Sequence, residues 1–242
     1  LLLTGFDQMA ERLQMQMDQQ RALLHDVSHE LRSPLARLNM AAGLARQNPN
    51  ELQSNLDRVE LEASKLDELI GQLLHLSRLQ SGLPLSTEPL DVLELLANVL
   101  EDAQFEAEQL KRTLQVELPA GRWPVDGNAD ALHSAFENVI RNGLRYTPTG
   151  GTLRVRALEE DVTYVVEVED EGPGLPAEAL DKMFAPFVKA GAQAGHGLGL
   201  AIAQKAMAAH QGEIRANNRP LPHHGLLMQL ILPKPLANQG TV

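Results

Sequence analysis

The sequence predicts two architectures in one chain, an all-α helical hairpin followed by an α+β two-layer domain. Three observations predict it. Apolar residues recur in steps of three and four on both sides of Asn48-Pro49-Asn50, which marks one face of each of two helices. Ser81-Gly82-Leu83-Pro84 then breaks the pattern. Beyond Pro89, helical windows alternate with short strands of period two, and helices with a mixed or antiparallel sheet in two layers make an α+β domain.

The first helix carries Phe6, Met9, Leu13 and Met17, then Leu24, Val27, Leu31, Leu35, Leu38, Ala42 and Ala45, and runs to Gln47. Asn48-Pro49-Asn50 is a stop, a turn and a restart. The second helix carries Leu52, Leu56, Val59, Ala63, Leu66, Ile70 and Leu73. So short a turn makes the pair antiparallel. Two helices cannot close a core around stripes this long, whereas two chains paired into a four-helix bundle can. A homodimer is therefore expected.

In the second part, residues 91–110 read as a helix and 113–118 as a strand. Residues 128–146 read as a helix capped by Asn128. Residues 152–158 and 163–169 alternate as strands across a short acidic turn. Residues 198–210 read as a helix, and 213–216 and 226–232 as strands. No internal repeat is visible.

Composition narrows the function classes. Of 242 residues, 43% are hydrophobic, enough for real cores, but only 3% are aromatic, so aliphatic side chains must fill them. There are no cysteines, which excludes disulfides and thiolate metal sites. The net charge of −11 argues against nucleic acid or an anionic lipid surface as the main partner. No apolar run approaches the ~18 residues of a membrane span. The chain opens Leu1-Leu2-Leu3 without a methionine, and we read it as a fragment whose preceding part is absent.

Four segments carry chemistry. His29 lies two residues from both Val27 and Leu31, so it points away from the apolar stripe, toward any partner. Pro34 follows five residues later and removes the helical partner of the Glu30 carbonyl, predicting a kink. His25 and His29, one turn apart, are too few for a metal site. Asn138 and Asn142 share a helix face, and a neutral amide carbonyl can ligate Mg²⁺, which keeps several waters. Asp170-Glu171-Gly172-Pro173-Gly174-Leu175 follows a strand. Its glycines let backbone approach a flat ligand, and Asp170 can accept from an exocyclic amine. Gly195-His196-Gly197-Leu198-Gly199-Leu200 opens a helix, whose first N–H groups suit phosphate oxygens.

Ser28-His29-Glu30-Leu31-Arg32-Ser33-Pro34-Leu35 resembles the phosphoacceptor box of sensor histidine kinases, S-H-E-L-R-T-P-L, with Ser33 in place of threonine. Residues 137–146, 170–175 and 195–200 resemble, in order, the N, G1 and G2 boxes of the same family's ATP-binding domain. Met183-Phe184-Ala185-Pro186-Phe187 resembles its F box. Phe105-Glu106-Ala107-Glu108-Gln109, Trp123-Pro124-Val125 and residues 137–146 look most like envelope-stress sensors of the Cpx type. The resemblance implies a dimeric four-helix bundle followed by a two-layer sandwich of the histidine-kinase ATPase (Bergerat) type. It implies the end of a HAMP linker at 1–20, a dimerisation and phosphotransfer domain at 21–81, a linker at 82–89 and a catalytic domain at 90–242. It also implies ATP and Mg²⁺ as cofactors and a response-regulator receiver domain as partner. The whole protein would be anchored in a bacterial inner membrane, with this portion cytoplasmic.

Residue by residue, the resemblance makes His29 the phosphoacceptor, Glu30 its acid/base, and Ser33 the hydroxyl for dephosphorylating the regulator. Asn142 would hold the metal. Nucleotide contacts fall to Asn138, Asn142, Arg145, Tyr146, Asp170, Gly172, Gly174, Phe187, Lys189, Gly195, His196, Gly197, Leu198 and Gly199. Residues 188–194 stand where the family has its ATP lid, but Val188 and Lys189 replace an aromatic and an arginine, and His196 replaces a small residue. Two other classes stay open on sequence alone. One is a conformational ATPase, against which Asn138 stands where such enzymes have a glutamate base. The other is a nucleotide-binding scaffold without activity, against which the intact phosphoacceptor box stands.

Overall fold

The computed structural model describes residues 2–81, 84–189, 195–220 and 222–235. It divides into two units, Leu1–Gly71 and Gln72–Val242. The expected linker residues 82 and 83 and lid residues 190–194 lie outside the described residues.

The first unit is the expected hairpin. Helix α1 (Leu2–Gln47) continues through Pro34, a single 3₁₀ turn follows (Pro49–Glu51), and α2 (Leu52–Gln80) returns. The Asn48 side chain accepts from the Asn50 N–H at 3.2 Å and closes the turn. The stripes read from periodicity are not the residues this chain buries within itself. Leu24 is 60% exposed, Leu35 51%, Leu52 44% and Ile70 46%. Among the described residues of this unit, the buried positions are Pro34 and Ala41 on α1, and Asn55, Glu62 and Leu69 on α2. Each set is spaced by seven, the step of a narrow two-helix seam. One helix can cover only one seam of another, so the broader apolar flanks stay uncovered.

Two seam positions are polar and carry their own partners. Asn55 Nδ2 donates to the Glu51 carbonyl at 3.0 Å. The Glu62 carboxylate, 4% exposed, accepts from Lys65 at 3.0 Å and from Arg37 of α1 at 2.9 Å. The Lys65 ammonium, with the Arg37 guanidinium beside it, holds the Glu62 carboxyl below the usual range against the upward effect of burial.

The second unit is a two-layer sandwich. Its sheet runs β2 (Thr113–Glu117), β4 (Thr152–Glu159), β5 (Thr163–Glu169), β7 (Leu226–Pro233), β6 (Glu213–Asn218) in spatial order. Only β2 and β4 are parallel. Helices α3 (Val92–Gln109), α4 (Ala129–Tyr146) and α6 (Gly199–Ala209) form the other layer. Strands β4 and β7 alternate as a half-buried sheet requires: Leu153, Val155 and Ala157 of β4, and Leu226, Met228, Leu230 and Leu232 of β7, point inward. On the outer side the β4–β5 register sets Arg154 opposite Glu169 and Arg156 opposite Glu167, and both cross-strand pairs form, at 3.2 and 2.8 Å.

Three short elements escape the sequence reading. Strands β1 (Glu88–Asp91) and β3 (Pro124–Gly127) pair antiparallel as a separate two-stranded sheet, and α5 (Ala177–Leu180) is a single turn. Each strand has four residues and a proline, which suits an edge and hides the pattern. Asp91 anchors this corner. Its carboxylate caps α3 through the Leu93 N–H at 3.1 Å, accepts from the Trp123 N–H at 3.0 Å, and pairs with Arg122 at 3.1 Å. Trp123, 1% exposed, stacks on Tyr164 of β5 with ring centroids 4.6 Å apart. Burial pushes the Asp91 carboxyl up, but the Trp123 N–H, Arg122 and the Leu93 N–H together outweigh it and hold the carboxyl below the usual range.

A depressed carboxylate stabilises the fold above its unfolded-state value and loses that contribution as pH falls through the folded value. Asp91→Ala is therefore expected to lower stability by about 1–2 kcal/mol at neutral pH. The gap to wild type should close in strong acid. Denaturant titrations followed by the single tryptophan check this; a gap that does not change with pH would deny the carboxylate its role.

Candidate active site

Two places hold the residues singled out by sequence, one in each unit. On α1, His29 is exposed. Its ring lies 4.5 Å from that of His25, tilted, and His25 Nδ1 is 3.6 Å from Asp26. Glu30 is half-buried one residue on, and Ser28 Oγ donates to the Leu24 carbonyl at 2.8 Å. Ser33, also exposed, sits one turn beyond His29. Its Oγ accepts from Arg37 at 2.6 Å, the same Arg37 that reaches Glu62. The arginine occupies an acceptor lone pair, so the hydroxyl keeps its own proton to donate.

The second place is a cavity of about 360 Å³ in the sandwich unit, lined by Asn142 and Tyr146 of α4, Asp170, Gly174, Lys189 and a set of apolar side chains. α4 puts two of these there by its period. Leu132, Phe136, Val139, Ile140 and Leu144 are fully buried, so the row Asn138, Asn142, Tyr146 flanks the buried stripe, one turn between members. Asp170 directly follows β5 and is 3% exposed. Its Oδ1 accepts from the Gly172 N–H at 2.8 Å and from the Leu226 N–H at 3.0 Å. Burial pushes its carboxyl above the usual range, against those two N–H groups and Arg219.

The other residues named from sequence in this unit, Asn138, Arg145, Gly172, Phe187, Gly195, His196, Gly197, Leu198 and Gly199, are not among those that line this cavity. The Asn138 amide nitrogen donates to the Ser134 carbonyl at 2.8 Å, and its oxygen lies against Gly199, where a Cβ would collide with it. Asn138 thus serves the contact between α4 and α6. Gly172 lies against the Asp170 carboxylate and the Tyr146 carbonyl. The Arg145 guanidinium lies against Gly195. Phe187 has a left-handed backbone, φ 63°, and its N–H donates to the Gly197 carbonyl at 2.8 Å. A side chain at Gly197, itself at φ 74°, would strike the Phe187 backbone. Two adjoining left-handed residues, one not glycine, are what a strained site looks like. His196 is half-buried and Leu198 fully buried. The N-cap residue of α6, Leu198, has no side-chain oxygen to accept from the first N–H groups of the helix.

Apolar lining comes from Pro173, Leu175, Met183 and Leu200, which lie in segments singled out by sequence without being named as site residues, and from Pro176 and Leu226, which sequence reading missed. An apolar slot edged by one buried carboxylate suits a flat heteroaromatic ring with an amino group. Among the described residues no group of three or more His, Asp or Glu is placed to hold a metal. The donor set fits a divalent cation held by one neutral amide, Asn142, with the remaining oxygens coming from a phosphate ligand and water.

Residues 19–82 match the His Kinase A (phospho-acceptor) domain, and residues 127–236 match the histidine kinase-, DNA gyrase B- and HSP90-like ATPase family. Sensor histidine kinase CpxA of Escherichia coli K12 is 40% identical over 234 residues, covering 95% of this chain and 50% of that protein. The structure of Acinetobacter baumannii histidine kinase AdeS is similar with a TM-score of 0.67 at 25% identity, covering 85% of this chain and 98% of that one. Full-length ShkA, solved in complex with AMPPNP, has a TM-score of 0.66 at 25% identity, covering 87% of this chain and 45% of that one. The chain spans about half the length of the curated relatives it matches.

Packing at Gly199 gives a test of the α4–α6 contact. Gly199→Ala is expected to lower stability by about 1–3 kcal/mol through overpacking against Asn138. Combining it with Asn138→Ala should recover part of the loss, because the two changes share one space. Strict additivity in thermal melts would count against this contact.

Proposed function

The chain belongs to the sensor histidine kinases of two-component systems, and we propose that it transfers the γ-phosphoryl group of ATP to His29 and then to an aspartate of a response-regulator receiver domain. One observation carries this reading. A single chain joins an exposed histidine in a Ser-His-Glu-Leu-Arg-Ser-Pro-Leu helix to a cavity edged by Asn142 and Asp170.

In the sandwich unit, the apolar slot takes the adenine ring and Asp170 accepts from its amine. Asn142 holds Mg²⁺, which neutralises charge developing on the phosphates. The uncapped N–H groups opening α6, with Gly195, Gly197 and Lys189 nearby in the chain, orient the phosphate oxygens. Such positioning is most of what phosphoryl transfer requires. At His29 the attacking ring nitrogen must be unprotonated. The bond from phosphorus to the ADP oxygen breaks as the bond to nitrogen forms. The proton on the other ring nitrogen passes to Glu30 or to water.

Further parts of the reading rest on the hairpin. Large apolar residues on both helices lie open, Leu24, Leu35, Met40, Leu44, Leu56 and Leu74 among them. That supports a homodimer through a four-helix bundle. The exposed Ser33 hydroxyl, held by Arg37, supports a phosphatase step in which it orients water toward the regulator's acyl phosphate. We place the end of a HAMP linker at 1–20, the phosphotransfer domain at 21–81 and the catalytic domain at 90–242. No helix among the described residues is long and apolar enough to cross a membrane; a membrane anchor of the whole protein is proposed from its likeness to sensor kinases about twice this length.

Incubation with γ-labelled ATP tests the transfer. Wild type is expected to carry acid-labile label. His29→Gln should lose it while still binding nucleotide, and a labelled mutant would overturn the assignment. Ser33→Ala should slow dephosphorylation of a phosphorylated regulator by about tenfold, the scale of one lost hydrogen bond, with autophosphorylation unchanged. Equal dephosphorylation rates would remove Ser33 from the mechanism.

A further inference from the structure

Asp170 does not hold its position through its own strand alone. The turn joining β6 to β7 comes back against it. The Asp170 N–H donates to the Leu226 carbonyl at 3.0 Å, and the Leu226 N–H returns a hydrogen bond to Asp170 Oδ1 at 3.0 Å. Gly225, at φ 120°, lies so close to the Asp170 carbonyl that any side chain there would collide with it. Arg219 closes the arrangement. One guanidinium nitrogen, Nη1, donates to the Asp170 carbonyl at 3.1 Å and to the His224 carbonyl at 3.2 Å. The other, Nη2, pairs with Glu169 at 2.6 Å. The Arg219 side chain is 12% exposed, and its own N–H donates to the Gly225 carbonyl at 3.0 Å. Next to it, Asn218 grips the far end of the same segment. Its oxygen accepts from the Leu175 N–H at 2.8 Å and its nitrogen donates to the Leu175 carbonyl at 2.7 Å.

We infer that Arg219 is a positioning residue for base selection: it fixes the peptide of Asp170 so that the carboxylate meets the exocyclic amine of adenine. The inference rests on the proposed role of Asp170. Both main-chain donors fall on Oδ1, which leaves Oδ2 for the ligand. A carboxylate discriminates a donor from its absence only if it cannot swing away, and rotation of the Asp170 peptide would aim it elsewhere. Arg219 resists that rotation because its planar fork is itself fixed on three oxygens from three residues. The Asn218 side chain hydrogen-bonds Leu175 and lies against Gly174, both in the cavity lining, so it holds the floor of the slot, which every purine uses.

The two residues therefore predict different signatures. Binding of Mg-ATP and of Mg-purine riboside triphosphate, which lacks only the amine, is measured by calorimetry on the whole chain. Wild type is expected to prefer ATP by about tenfold or more, the scale of one charge-assisted hydrogen bond. Arg219→Gln should lose most of that preference while binding the amine-free nucleotide within about twofold of wild type. Arg219→Lys keeps the charge but cannot bridge the same three oxygens, so it should lose the preference too, and it serves if the glutamine variant does not fold. Asn218→Ala should weaken both nucleotides in parallel. Equal loss of both nucleotides in the Arg219 variants, an unchanged preference, or unfolding of both variants would overturn the inference and leave Arg219 a structural residue. A wild type without preference, or an Asp170→Asn chain that keeps it, would remove the reading of Asp170 and the inference with it.

Discussion

Burial of one stripe of α4 against the sheet is the contact on which the cavity depends. Leu132, Phe136, Val139, Ile140 and Leu144 are all sealed, which leaves the helix no freedom to roll. With the roll fixed, the helical period places Asn142 and Tyr146 at the cavity edge, and Asn138 a turn earlier under the start of α6. Gly143 belongs to the same constraint: a Cβ there would stand 2.5 Å from Leu153 of β4. The helix approaches the sheet as closely as a residue without a side chain permits. The asparagines are polar groups aimed by hydrocarbon packing.

The cavity's other edge is aimed by hydrogen bonds, which explains what the sequence made legible. Chemistry that sits in a contiguous run can be read from the run: His29 before Glu30, the two asparagines one turn apart, Asp170 ahead of its glycines. Asn218 and Arg219 act on Asp170 and Leu175 from more than forty residues away in the chain. Nothing in Asn217-Asn218-Arg219-Pro220 announces that, because the pairing exists only once β7 lies beside β5. The glycines divide in the same way. Gly197 and Gly225 have the positive φ that glycine suits, but the reason for Gly199 is a neighbour on another helix. The long elements were legible from period alone, whereas β1 and β3, four residues each with a proline, carry too little pattern to register.

The hairpin shows a different limit. Steps of three and four locate a helix and its apolar face, but they do not say which partner covers that face. Here the stripe is wider than the seam. Pro34, Ala41, Asn55, Glu62 and Leu69 are buried within the chain, while Leu24, Leu35, Leu52 and Ile70 stay open. Burial of a charged residue at a seam position is not something periodicity could foresee, since a lone buried carboxylate is strongly unfavourable. It is tolerated because Arg37 and Lys65 bring two cations to it.

That carboxylate also gives the hairpin a key. Along α2 the seam reads neutral amide, carboxylate, hydrocarbon at Asn55, Glu62 and Leu69. A slip of one heptad, about 10 Å along the axis, would keep every seam position in contact with something and would preserve the spacing. It would nevertheless set Arg37 against an amide in one direction and against a leucine in the other. Hydrocarbon periodicity leaves the two helices free to choose among such alignments, and a single anion at the middle position selects one of them. Because the same guanidinium also grips Ser33, the alignment of the helices and the setting of that hydroxyl are one degree of freedom.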